Sequence, residues 1–181
     1  MSNAQRLLLH CSDAAQKNQA LDTVCALLHQ RGQVFGLLAL RGALLSNINV
    51  AENLWLGMNW HRQQSAEAIL PVLQQQLVRL GFDEHRGARL LNARPAQLNA
   101  TDLRAVLLLR ALLMEPTILL ADNDWFAGVL YADRDLMQRA EPLIAHCHWW
   151  VFSDDLGDPT SEVDWVPCDL LTLLNELNNE C

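Results

Sequence analysis

The sequence predicts one α/β domain, a mainly parallel sheet flanked by helices. Three observations lead there. Arg6 to Cys11 (RLLLHC) and Gln33 to Leu40 (QVFGLLAL) are short apolar runs separated by a segment of helical period, the order of a βαβ unit. Thr117 to Ala121 (TILLA) and His148 to Phe152 (HWWVF) have the unbroken hydrophobicity of strands covered on both faces. The length of 181 residues suits a single domain spanning 1–181.

Each element has its own signal. Ser12 to Asn18 is polar and reads as a loop. Ala20 to Gln30 carries Leu21, Val24, Cys25 and Leu28 at helical spacing, with Gly32 as its stop. Asn53 to Met58 reads as a short helix. Ser65 to Leu80 repeats apolar residues at Ile69, Leu73, Leu77 and Leu80 before Gly81, with Pro71 marking its start or a bend. Phe82 to Gln97 reads as polar and irregular. Together 53–92 forms a small helical subdomain. Asn99 or Thr101 can cap a helix from Asp102 to Met114 that is apolar on nearly every face and therefore buried. The TILLA strand ends at Asp122-Asn123-Asp124. Asp133 to Ala145 and Asp169 to Asn178 complete the helices, the last with Leu170, Leu173, Leu174 and Leu177 on one face. Trp149 and Trp150, adjacent on a strand, must face opposite sides of the sheet.

Hydrophobic residues make up 51% and charged ones 19%, enough for a core and unlike a disordered chain. The net charge of −8, with Lys17 as the only lysine, argues against general nucleic-acid binding. Charge is uneven: Met1 to Met114 carries a net +4 and Glu115 to Cys181 a net −12. No apolar run approaches the roughly 20 residues that span a bilayer, and no signal peptide is evident. Five scattered cysteines (Cys11, Cys25, Cys147, Cys168, Cys181) read as reduced thiols of a cytoplasmic protein. His146 and His148 flank Cys147, and a zinc site with Cys168 can be drawn, but the usual ligand spacings are absent. No metal site is expected.

Pro95 to Asp124 reads PAQLNATDLRAVLLLRALLMEPTILLADND. It resembles, without a gap, the segment of ABC-transporter ATPases from the signature motif to the Walker B strand. Leu98-Asn99-Ala100-Thr101-Asp102 sits at the signature, Arg110-Ala111-Leu112 on its helix, Glu115-Pro116 at the turn and Asp122-Asn123 at the acidic pair. Gly42 to Leu54 (GALLSNINVAENL) is similar to the stretch after the family's Q-loop, especially in phospholipid-transport-type subunits. The resemblance implies a P-loop-NTPase-like sheet, with the family's antiparallel β subdomain largely missing because the chain begins so near the P-loop position.

The same resemblance implies a degenerate ATPase. A P-loop needs glycines that turn backbone N–H groups toward phosphate, a lysine, and a hydroxyl for Mg²⁺. Here Cys11, Ala14 and Gln16 replace the glycines and Asn18 the hydroxyl, while Lys17 falls at the lysine position. Lys17, Asn18 and Asp122 are thus the relic nucleotide-binding set. By itself Lys17 reads as a solvated loop lysine, and Asp122 as a structural cap. Leu40 stands at the Q-loop glutamine. Asn123 stands at the general base, where an amide cannot accept a proton. Asp154 stands at the switch histidine. Trp55 and Trp60 fall where the family borders its membrane subunit and are candidate partner contacts.

The expectation is a catalytically inactive binding, scaffold or regulatory subunit without ATP or Mg²⁺ as cofactor. Its partner would be an ABC-type ATPase, a permease subunit or a second copy. It would be cytoplasmic, peripheral to the inner membrane only through a permease. The alternatives are a weak ATP sensor with a composite site shared with a partner, and a stand-alone small-ligand-binding protein.

Overall fold

The computed structural model describes residues 4–40, 44–62, 65–155 and 165–179; the side chains of 60–62, 66 and 178–179 are outside the description. Five strands form one sheet: β1 (Arg6–His10), β2 (Phe35–Leu38), β3 (Ile118–Asp122), β4 (His148–Ser153) and β5 (Val166–Cys168). Their order is β2-β3-β4-β1-β5, and every pairing among the described residues is parallel. The fold class is the one the sequence predicts.

Period-two alternation splits the core in two. Leu8, Leu119, Ala121, Trp149 and Val151 face one side, and Leu7, Leu9, Leu120, Trp150 and Phe152 the other. Trp149 and Trp150 do face opposite ways. The second side is covered by α1 (Ala14–Gln30) and α8 (Leu170–Asn179). The first is covered by α2 (Val50–Arg62), α3 (Ala66–Arg79), α4 (Glu84–Asn92), α5 (Ala100–Leu113), α6 (Asn123–Tyr131) and α7 (Arg134–Ile144). Helices α2, α3 and α4 pack on one another within residues 50–92. No helix among the described residues is long and apolar enough to cross a membrane.

Several sequence expectations need correction. Helix α1 starts at Ala14, not Ala20, because Asp13 Oδ1 accepts the Gln16 N–H at 2.8 Å and caps it. Lys17 and Asn18 are therefore helical, not loop. Helix α2 is longer than Asn53 to Met58, and α3 continues through Pro71. Phe82 to Gln97 is largely ordered: Asp83 Oδ1 accepts the Arg86 N–H at 2.8 Å and starts α4, which buries Leu90 and Leu91. That hydrogen bond holds the Asp83 carboxyl below its ordinary range. A 3₁₀ turn follows at Pro95–Gln97. Helix α6 and the three-residue strand β5 had no distinct sequence signal. Of the two candidate caps of α5, Asn99 does the work, accepting the Asp102 N–H at 2.8 Å.

Strand β2 lies against α5 at a very close approach. A Cβ on Gly36 would come 2.7 Å from Ala111 Cβ and 2.9 Å from Leu119 Cδ2. Gly36→Ala is therefore expected to cost about 1–3 kcal/mol by overpacking, read as a lower urea midpoint. An unchanged midpoint would mean that β2 shifts outward without loss.

Candidate functional site

The carboxyl ends of β1, β3 and β4 lie side by side, the usual location of ligand crevices in open parallel sheets. After β1 comes Asp13 and the first turns of α1 with Lys17. After β3 comes Asn123-Asp124 at the start of α6, and after β4 comes Asp154. The three segments meet at one side chain. Lys17 Nζ donates to Asp154 Oδ1 at 2.6 Å and to Asp124 Oδ2 at 3.3 Å.

Lys17 is only 4% exposed, so it is neither solvated nor in a loop. Burial alone would push its pKa down. The Asp154 hydrogen bond and the Asp124 charge more than offset this and hold the ammonium above its ordinary value. Reciprocally, the Lys17 hydrogen bond holds the Asp154 carboxyl below its ordinary range. The charge at the P-loop lysine position is thus satisfied by the chain's own carboxylates.

Three backbone donors nearby are also taken. Ser12 N–H donates to the Gln16 side-chain oxygen, Gln16 N–H to Asp13 Oδ1, and Cys11 N–H to the Ser153 carbonyl at 2.7 Å. A phosphate cradle works through free N–H groups pointing at the anion. Here Asp13 and Gln16 fill that role internally. Burial, then Asp154, pushes the Cys11 thiol up, which makes it a poor nucleophile. Asn18 lies one residue beyond Lys17 on α1, and the described contacts give it no part in the cluster.

Asp122 is buried and caps α6. Its Oδ1 accepts the Trp125 N–H at 2.6 Å, and its Oδ2 accepts the Leu40 N–H at 3.1 Å. Burial raises its pKa despite those two bonds. Both oxygens thus hold the chain together. Asn123 is 8% exposed, and its Oδ1 has no hydrogen-bond partner among the described residues.

Of the signature-like residues, Asn99 and Ala100 are exposed and the other three half-buried, and four of the five make contacts within the chain. Leu98 packs against the core, Asn99 caps α5, and Ala100 is its first residue. Thr101 Oγ1 donates to Asp133 Oδ1 at 2.7 Å, and Asp102 Oδ1 accepts Arg86 Nη2 at 3.1 Å. Trp55 is half-buried against the core, whereas the Trp60 side chain and residues 41–43 lie outside the described residues. Cys147 is buried with its thiol toward the Pro116 carbonyl, and His148 Nδ1 accepts the Gln5 N–H. Among the described residues no group of three or more His, Cys, Asp or Glu side chains is arranged to hold a metal.

Sequence reasoning passed over Asp124, which lies 107 residues from Lys17 and carries no local signal of the contact. It also passed over a buried ion pair, Arg104 Nε to Asp133 Oδ2 at 2.7 Å, which joins α5 to the start of α7. Arg86 and Arg110 meet Asp102 and the Leu37 carbonyl, so these arginines form no free basic face.

No protein-family model matches the chain, and no curated protein matches it significantly. Solved structures do. A bacterial ABC transporter cassette described as dimeric superposes with a TM-score of 0.64 at 15% identity, over 94% of this chain and 83% of that one. An ATP-binding subunit of an ABC transporter gives 0.56 at 16% identity, over 83% and 68%. Part of the cbiONQ ABC transporter complex from Clostridium perfringens, cbiO1, gives 0.57 at 12% identity, over 83% and 67%. The chain has the fold of ABC-transporter ATP-binding subunits.

Proposed function

We propose that this chain is a catalytically inactive, ABC-ATPase-like subunit that acts by binding a protein partner in a transporter-type complex. The observation that carries the reading is the buried Lys17, neutralised by Asp154 and Asp124 where a nucleotide-binding subunit would offer a free cation to phosphate. An incoming triphosphate would have to displace two carboxylates already in contact with it. It would also lack free N–H donors at Ser12 and Gln16. Asn123 removes the general base even if a nucleotide entered.

The fold supports a partner in the form of an ABC-type ATPase, a permease subunit or a second copy. The phospholipid-transport flavour rests on the Gly42 to Leu54 resemblance, and a cytoplasmic place beside a permease follows from the same reading. Trp55 and Trp60, on α2, are the candidate contacts.

The test is calorimetric titration with ATP, with and without Mg²⁺, on the wild type and on Lys17→Ala. No heat at millimolar ATP is the expected result. Mg²⁺-dependent heat that disappears in Lys17→Ala would overturn the proposal in favour of a weak ATP sensor. The partner is sought with a labelled chain and candidate permease subunits, where Trp55→Ala should weaken capture.

A further inference from the structure

A cavity of about 460 Å³ lies away from the Lys17 cluster, between the end of α3, the start of α5 and the α6–α7 turn. We propose that it binds a small organic anion, an oxyanion head on an apolar body. The reading goes beyond the subunit role proposed above and does not depend on it.

Three independent features give the cavity its positive character. First, Arg134 and Arg139 both line it without a carboxylate partner among the described residues. Both side chains are exposed, and their hydrogen bonds among those residues go to neutral carbonyls: Arg134 Nε donates to Leu130 at 3.0 Å and Arg139 Nη1 to Gly81 at 3.4 Å. Second, the first turn of α7 opens on the cavity with no side-chain cap. Asp133 occupies the cap position, but its carboxylate is spent on Arg104 and Thr101. No side chain offsets the positive end of the helix dipole there, although the Leu136 and Met137 N–H groups donate to the Asp133 carbonyl.

Third, a glycine makes room for one of the guanidinium groups. Gly81, at φ +85° in the Schellman turn that ends α3, has the Arg139 side chain packed onto it: a Cβ there would lie 1.8 Å from Arg139 Nη1.

The acidic groups do not cancel this. Asp133 is neutralised by Arg104, and Arg86 by Asp102, so the remaining lining charges are Arg134, Arg139 and a single carboxylate, Asp135. The exposed Tyr131 ring supplies most of the apolar surface for the body of the ligand, over a floor of the buried Leu80, Phe82 and Leu136.

The experiment is calorimetric titration with phenyl phosphate, benzoate and inorganic phosphate, at fixed ionic strength. Phenyl phosphate or benzoate should bind more tightly than inorganic phosphate, and the tighter of the two identifies the head group. Arg134→Gln and Arg139→Gln should each weaken binding about tenfold, and Asp135→Asn should strengthen it. Thermal melts of the variants confirm folding, and Lys17→Ala serves as a remote control with unchanged affinity. Absence of binding at millimolar ligand, binding indifferent to both arginines, or equal affinity for phenyl and inorganic phosphate would overturn the proposal.

Discussion

Asp154→Ala is expected to lower stability by about 3 kcal/mol, because it strips the main partner from a buried cation. For a chain of this size that is a fall in Tm of about 6–12 °C. Asp124 cannot compensate: its side chain is 69% exposed and its oxygen stands 3.3 Å from Lys17, so water screens the pair. The cost lies in the stranded charge, which gives the test its control. In Lys17→Met/Asp154→Ala nothing is stranded, and most of the stability should return. The pH dependence has a definite sign. Asp154 has a depressed pKa in the folded chain, so its contribution is present above the ordinary carboxylate value of about 3.9 and is lost as pH falls through the folded value. Lys17 has a raised pKa, so its contribution is complete below the ordinary lysine value of about 10.4 and is lost only as pH rises through the folded value. Melting curves should show the wild type and Asp154→Ala converging below about pH 4 and separated at pH 7. Wild-type and variant melts that coincide at pH 7 would refute the account.

The same ion pair shows where sequence reading stops. The strands at Arg6–His10, Ile118–Asp122 and His148–Ser153 were legible because a strand buried on both faces is an unbroken apolar run, a local property. So was the apolar α5, together with its Asn99 cap as one of two candidates. Helix α4 was not, because Arg86, Arg89 and Gly87 made a short amphipathic helix look like a polar linker. Its signals were Asp83 as cap and the buried pair Leu90-Leu91. The start of α1 is not legible because Ser12 to Asn18 is polar and reads as a loop, and the cap that begins the helix, Asp13, lies within that run. Strand β5, three residues with Pro167 at their centre, resembles no strand outside its sheet. Lys17 was conspicuous as the only lysine, but its partners lie 107 and 137 residues away. Only the order of β3, β4 and β1 in the sheet brings those segments together. Position in the chain marked Lys17 as a site residue, and topology decides what it does.

Asp133→Ala is expected to cost about 3–5 kcal/mol, the largest single effect in the molecule outside its apolar core. Both side chains of the Arg104–Asp133 pair are almost out of water, 10% and 7% exposed, and they meet at 2.7 Å. Alanine strands the guanidinium and also orphans the Thr101 hydroxyl, which donates to the same carboxylate. The Arg104 guanidinium is packed against Gly128, which closes that direction to it. The comparison that decides between charge and contact is Arg86–Asp102, a pair on the same helix end with Arg86 46% exposed. Asp102→Ala should cost less than about 1 kcal/mol and lose even that in high salt, whereas the loss on Asp133→Ala should be nearly salt-independent. Asp133→Asn separates the two contributions further. It keeps one of the two oxygens that Arg104 and Thr101 now use separately, and no charge, and should fall between the wild type and alanine. Urea unfolding of the three variants at low and high salt measures all of this. If Asp133→Ala proved as mild as Asp102→Ala, the junction between α5 and α7 would be held by its apolar contacts, and Arg104 would have found water.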